Sequence, residues 1–174
     1  MSQIKVQSHK VNLGELLIGV IDNKLCLFDW RYRRMRKAVD TRLQKYFGCE
    51  YQEAPDYLID TTKNQVREYL AGQRQTFDIP MALAGTDFQK RVWEYLIRIP
   101  YGETRSYGQM AQEMGDVKAV RAVANANGAN AMSLIVPCHR IMESNGGLGG
   151  YAGGLPAKKK LLELESGNKQ LELL

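Results

Sequence analysis

The sequence predicts an α+β protein: a small first half of mixed strands and helices, then a second half that is mainly helical. Three observations carry this. Two short apolar runs, Leu16 to Val20 and Lys24 to Phe28, flank Asp22-Asn23, a hairpin signal. Phe88, Val92, Leu96 and Ile99 recur at helical spacing. Two further short helical stretches meet at Gly115.

Arg33 to Phe47 reads as a helix stopped by Gly48, a residue suited to a left-handed C-cap. Tyr57 to Leu70 is a second helix, closed by Gly72, and Gln75 to Pro80 offers one more strand. A boundary falls at Met81 to Gly85, which gives domains over 1–84 and 85–174. Beyond it, Thr86 caps the helix that bears Phe88 to Ile99, and Pro100-Tyr101-Gly102 ends it. A short helix from Ser106 to Met114 turns at Gly115, and Asp116 caps another from Val117 to about Asn127. Two short helices across a glycine turn form the pattern of a helix-turn-helix, although many such hairpins bind nothing.

Composition narrows the class. The 174 residues are 44% hydrophobic and 25% charged, as in soluble globular chains. No apolar run approaches the roughly 18 residues of a membrane-spanning helix. Met1 to Lys10 is polar and lacks the apolar core of a signal peptide, so a cytoplasmic, nucleoid-associated location is expected. Cys26, Cys49 and Cys138 are far apart and odd in number, which argues against a disulfide framework. Cys26 and Cys49 read as small core residues. A zinc site from His9, Cys26 and Cys49 lacks paired ligand spacing, and no metal or cofactor is expected.

The net charge of +5 permits a polyanionic partner without demanding one. Arg31, Arg33, Arg34, Arg36 and Lys37 form the densest basic cluster; it reads as a solvated helix face, with phosphate contact as the alternative. In the helix after Gly115, Ala119, Ala122, Ala124 and Ala126 leave little side chain to reach base edges in a wide groove. They suit close backbone approach to DNA or tight packing on a neighbouring helix. Arg121 is the one long cation at its middle, placed to wedge a base stack.

The central chemical signal is Ile135-Val136-Pro137-Cys138-His139-Arg140, where an apolar strand is expected to end at the proline. A cysteine attacks only as its thiolate, and a neighbouring base or cation lowers its pKa from about 8.5. His139 can take the proton, through a water because adjacent side chains diverge, and an acid would then orient the imidazole. At average usage Pro-Cys-His-Arg arises by chance in on the order of one such chain in ten thousand.

This segment resembles the active-site motif of the 6-O-alkylguanine-DNA alkyltransferases. Gly85-Thr86-Asp87-Phe88-Gln89 with Val92-Trp93, Ile99-Pro100-Tyr101-Gly102 and Ser106-Tyr107-Gly108-Gln109 resemble the family's series in order. Ala119 to Val123, Asn130, Asn145-Gly146, Gly150 to Gly154 and Lys158 to Glu165 continue it. The first 80 residues match only in size and architecture.

The resemblance implies a ribonuclease H-like sheet with helices, followed by a winged helix-turn-helix domain. It implies Cys138 as alkyl acceptor, His139 as water-linked base and Glu165 as the acid behind it. Asn130 would bridge the helical hairpin to the active-site turn, and Tyr107 would assist guanine's departure by protonating it. Arg121 would replace a rotated base, with Gln109, Ala122, Ser144 and Tyr107 as further DNA contacts. Tyr151, Ala152, Ile141 and Val136 would line the lesion pocket. Some relatives carry serine where Ala152 stands, so a hydroxyl contact is missing there. The implied partner is double-stranded DNA with alkylated guanine, bound by a monomer and conceivably with cooperativity; the implied reaction consumes the protein once.

Other readings fit less well. A non-catalytic lesion-binding protein would lack the acceptor, which is present as Cys138. A cysteine hydrolase would need an oxyanion scaffold, and adjacent catalytic partners are awkward. A regulator with a zinc domain would need a four-cysteine cluster.

Overall fold

The structure, a computed structural model, describes residues 2–167. It is α+β, with a four-stranded sheet, a two-stranded sheet and six α-helices among the described residues. The chain divides into two compact units between Gly85 and Thr86. No described helix is long and apolar enough to cross a membrane.

The first unit is built on the sheet β3-β2-β1-β4. Strands β2 (Gly14–Ile21) and β3 (Lys24–Trp30) pair antiparallel across Asp22-Asn23. Both turn residues have positive φ, 49° and 60°, as a two-residue hairpin with the strand-compatible twist requires. Leu16, Ile18, Leu25, Leu27 and Phe28 are fully buried and form the core. Strand β1 (Ile4–Val11) pairs antiparallel with β2, and β4 (Tyr51–Glu53) pairs parallel with β1. Neither was expected from the sequence. Only Ile4 of β1 is buried, so the strand shows no apolar run, and β4 is three half-polar residues.

Helix α1 (Arg36–Phe47) buries Val39 and Leu43 and ends on Gly48 at φ 68°. Helix α2 (Tyr57–Leu70) starts where the Asp56 carboxylate accepts from the Leu58 N–H. The strand expected over Gln75 to Pro80 is absent. The Gln65 amide on α2 donates to Asp78 O and accepts from Asp78 N, which ties this segment to the helix. Its sheet contact is a single parallel bridge between Leu25 and Met81.

The basic run before α1 is only partly a solvated face. Asp29 is fully buried, and its carboxylate takes Arg33 at 3.0 Å and Arg36 at 3.0 Å. Arg36 also holds Asp40, whose Oδ1 accepts from the Tyr51 hydroxyl at 2.7 Å.

The second unit opens with α3 (Asp87–Ile97), begun by a reciprocal capping box between Thr86 and Gln89. It buries Val92, Trp93, Tyr95 and Leu96. A matching box between Ser106 and Gln109 starts α4 (Tyr107–Glu113), just after β5 (Arg105–Ser106). Asp116 caps a 3-10 turn, Val117–Ala119, which runs into α5 (Val120–Gly128). Trp93 Nε1 donates to Ala126 O at 2.9 Å, so α5 packs on α3 through its small residues. Ala122 and Arg121 are exposed on the same helix, so the alanines serve both faces. Strand β6 (Ile141–Met142) pairs parallel with β5, and α6 (Leu155–Glu165) ends the described region.

Candidate active site

Residues 131–136 do not form the apolar strand that their composition suggests. They make a buried turn that includes Leu134 at φ 68°, a left-handed conformation unusual for a branched side chain. Asn130 dictates this path. Its Nδ2 donates to Val136 O at 2.8 Å and its Oδ1 accepts from Met132 N at 2.9 Å. The chain is thereby curled into a 3-10 turn, Cys138–Arg140, in which all three residues are buried.

His139 is fully buried, and its Nε2 lies 2.9 Å from Glu165 Oε2 on α6. Arg140 grips the same carboxylate from the other side: Nε donates to Oε1 at 2.8 Å and Nη2 to Oε2 at 2.8 Å. Arg140 Nη1 also donates to Ile99 O at 2.7 Å, and its guanidinium lies over the Tyr101 ring. Gly102, at φ 84°, packs so closely that a Cβ there would sit 3.0 Å from Glu165 O. The Ile99-Pro100-Tyr101-Gly102 turn is thus the seat on which the end of α6 rests.

Electrostatics follow from this geometry. Burial works against the Glu165 charge, yet the hydrogen bonds from Arg140 and His139 outweigh it and bring the carboxyl down to about 2. The carboxylate is therefore ionised and can only accept, so His139 Nε2 carries a proton. Burial pushes the His139 pKa below its ordinary value more than Glu165 lifts it. Arg140 already balances the carboxylate, and the imidazole is neutral. Its Nδ1, buried and without a hydrogen-bond partner among the described residues, is then a basic lone pair.

Two further groups surround the thiol. Lys158 on α6 is fully buried, and its ammonium donates to the carbonyls of Ile141 at 2.6 Å, Leu148 and Gly150. Burial lowers its pKa, while the nearby Cys138 and Glu143 oppose that shift. The Tyr107 hydroxyl accepts from Asn127 Nδ2 at 3.2 Å, so its own proton must point elsewhere. Burial raises the Tyr107 pKa; the Asn127 bond lowers it, and the charges of Cys138 and Glu143 raise it further.

Of the residues the sequence singles out, Cys138, His139, Glu165, Asn130 and Tyr107 gather around this turn. Val136 and Ile141 are buried beside Cys138, Tyr151 and Ala152 are half-buried, and the Tyr151 ring meets His139 edge-on at 6.4 Å. Arg121, Ala122, Gln109 and Ser144 are exposed on the helical hairpin and the loop after β6. Gln109 has a structural duty in the capping box with Ser106. The parts played by Arg140, Lys158 and Asn127 were not anticipated. A signal existed for Lys158, which shares the buried face of α6 with Ala157, Leu161 and Glu165. Among the described residues no three His, Cys, Asp or Glu side chains converge as metal ligands. Cys26 is a core residue whose thiol burial pushes up to about 12, and Cys49 is half-buried.

A buried thiol, an adjacent neutral imidazole and an ionised carboxylate, next to a helical hairpin, define a protein with a cysteine-centred reactive site. The family model described as "6-O-methylguanine DNA methyltransferase, DNA binding domain" matches residues 87–167. The constitutive methylated-DNA–protein-cysteine methyltransferase of Bacillus subtilis is 41% identical over 155 residues, 86% of this chain and 87% of that one. The Mycobacterium bovis protein of that name is 50% identical over 110 residues, 63% of this chain and 67% of its own. The crystal structure of Mycobacterium tuberculosis OGT in complex with DNA superposes with a TM-score of 0.79 at 35% identity, covering 94% of both chains. The chain belongs to the methylated-DNA–protein-cysteine methyltransferase family.

Proposed function

We propose that the protein repairs DNA by direct reversal, moving an alkyl group from the 6-oxygen of guanine onto Cys138 Sγ. The observation that carries this is the Cys138-His139-Glu165 row, in which Glu165 fixes the imidazole so that Nδ1 is the free base. His139 Nδ1 takes the Cys138 proton through a bridging water, and the Glu165 carboxylate stabilises the imidazolium that forms. The thiolate attacks the alkyl carbon, the carbon–oxygen bond breaks, and its electron pair goes to guanine. Tyr107, with its proton turned away from Asn127, supplies a proton to the departing base. The product is a thioether, which nothing in the site hydrolyses, so each chain acts once.

The target atom lies inside the base stack, so the nucleotide turns out into the pocket beside Tyr151, Ala152, Val136 and Ile141, at a cost of a few kcal/mol. Helices α4 and α5 act as a helix-turn-helix, with the β5–β6 pair and its loop as the wing. Arg121 fills the vacated stack, while Ala122 lets the α5 backbone approach a narrow groove and Gln109 and Ser144 meet phosphates. We read the first unit, in which β4 joins β1 in parallel, as a ribonuclease H-like arrangement.

The test is mass spectrometry after incubation with duplex DNA containing methylated guanine. A single added methyl on Cys138, absent in Cys138→Ala, is expected. DNA binding with unmodified Cys138 would instead mark a non-catalytic lesion binder and overturn the proposal.

A further inference from the structure

Helix α1 carries a feature that the alkyl-transfer site does not use. Opposite its buried Val39 and Leu43, a shallow groove of about 750 Å³ runs along one face. Arg34, Lys37, Arg42 and Lys45 line it, and no carboxylate does. Met35, Ala38 and Thr41 complete its lining. Arg34, Lys37 and Lys45 are exposed. The carboxylates nearest in sequence are already engaged: Asp29 with Arg33 and Arg36, Asp40 with Arg36 and Tyr51. Burial, and then the positive charge of Arg33, work against the charge on Arg42, while Asp29 and Tyr51 favour it.

Solvated lysines on a helix are common and usually bind nothing. Two things argue otherwise here: the single sign of the charged lining and its length. From Lys37 to Lys45 the helix advances about 12 Å at ~1.5 Å per residue. That matches roughly three to four steps of ~3.4 Å along one DNA strand. A row of phosphates can lie along such a groove within reach of these cations.

We propose that this α1 groove is a second, sequence-independent binding surface for the DNA sugar-phosphate backbone, held by the first unit. The proposal rests on the reading of the protein as DNA-acting, and adds a contact outside the helix-turn-helix unit. It gives the first unit a part in holding DNA as well as in supporting the fold.

The test uses the full chain and an unmodified, fluorescently labelled duplex. Affinity is measured between about 50 and 200 mM salt for the wild type and for the Arg34→Ala, Lys37→Ala, Lys45→Ala triple variant. Each phosphate contact adds about 0.9 to the slope of log affinity against log salt, so losing up to three lowers it by as much as about 2.7. Binding near 0.1 M salt should weaken at least about tenfold. These side chains are exposed and alanine favours helix, so the fold is kept; an unchanged thermal midpoint checks this. A charge-preserving variant, Arg34→Lys, Lys37→Arg, Lys45→Arg, should keep the wild-type slope. An unchanged slope in the alanine variant overturns the proposal. So does binding to polyglutamate that the alanine variant loses while its DNA slope stays intact, which would identify an acidic protein as partner. Alkyl transfer from free alkylated guanine is run alongside and should be equal in all three proteins. If even the wild type transfers no alkyl group, the repair reading fails while the salt slope still decides the role of α1.

Discussion

Replacing Glu165 with glutamine changes one oxygen to an NH2 group and tests the whole site. In the native protein Oε1 accepts from Arg140, and Oε2 accepts from both Arg140 and His139. A glutamine has one acceptor for three donors, so one buried N–H meets another. Two numbers set the scale. The Glu165 carboxyl is held at about 2 against an ordinary 4.5, a difference of roughly 3 kcal/mol in favour of the folded state. Breaking a buried ion pair by removing one partner costs about 3–5 kcal/mol. Urea denaturation at neutral pH should therefore show a loss of about 3 kcal/mol. In the wild type the folded pKa is depressed, so this stabilisation is complete above about 4.5 and fades as pH falls toward 2. The variant should lack that part of the acid dependence. Chemistry should suffer separately. With the glutamine NH2 facing Nε2, the imidazole proton moves to Nδ1, where the base is needed. Methyl transfer at pH 7 should slow by about 10²-fold or more. At alkaline pH the thiol ionises without the base's help, and part of the rate should return. Equal slowing at every pH, or unchanged urea stability, would refute this account of the Glu165 clamp.

Asn130→Ala leaves Met132 N unpaired in the interior and Val136 O with the Cys138 N–H alone, at about 1–3 kcal/mol; thermal unfolding should report the loss, and transfer should slow as the Cys138 turn loosens. Lys158→Met removes the donor shared by Ile141, Leu148 and Gly150. Amide hydrogen exchange in residues 141–150 should quicken, and protection equal to the wild type would show that the ammonium is not what holds this loop. Arg121→Ala should slow repair of duplex DNA much more than reaction with free alkylated guanine, since Arg121 is exposed on α5 and absent from the thiol's surroundings. Equal slowing on both substrates would remove the base-displacement role.

The legibility of the sequence followed how local each cause is. The β2–β3 hairpin was readable because Asp22 and Asn23 alone set its turn. The capped start of α3 was readable because Thr86 acts three residues away, whereas Ser106, read as the first residue of α4, is its cap. Ile135-Val136 misled, since the partner that curls this apolar pair is Asn130, a side chain outside the run. Gln75 to Pro80 misled for a similar reason, with Gln65 on another element taking its backbone groups. The Cys138-His139-Glu165 row was reached through the motif series. The gripping of that same carboxylate by Arg140 was not, because it depends on where α6 ends in space. Lys158 escaped notice because charge on a helix is ordinarily read as solvent-facing, and here it caps three carbonyls.

The Glu165 clamp also bears on when the protein can first act. Glu165 follows His139 by 26 residues, and synthesis runs from the N-terminus. In the growing chain the thiol, the imidazole and the helical hairpin therefore precede the carboxylate that sets the imidazole. Until α6 forms and settles on the Ile99-to-Gly102 seat, Nε2 has no fixed partner. The residue that fixes the imidazole is thus the last of the row to be made, and the row is complete only once the end of α6 has folded.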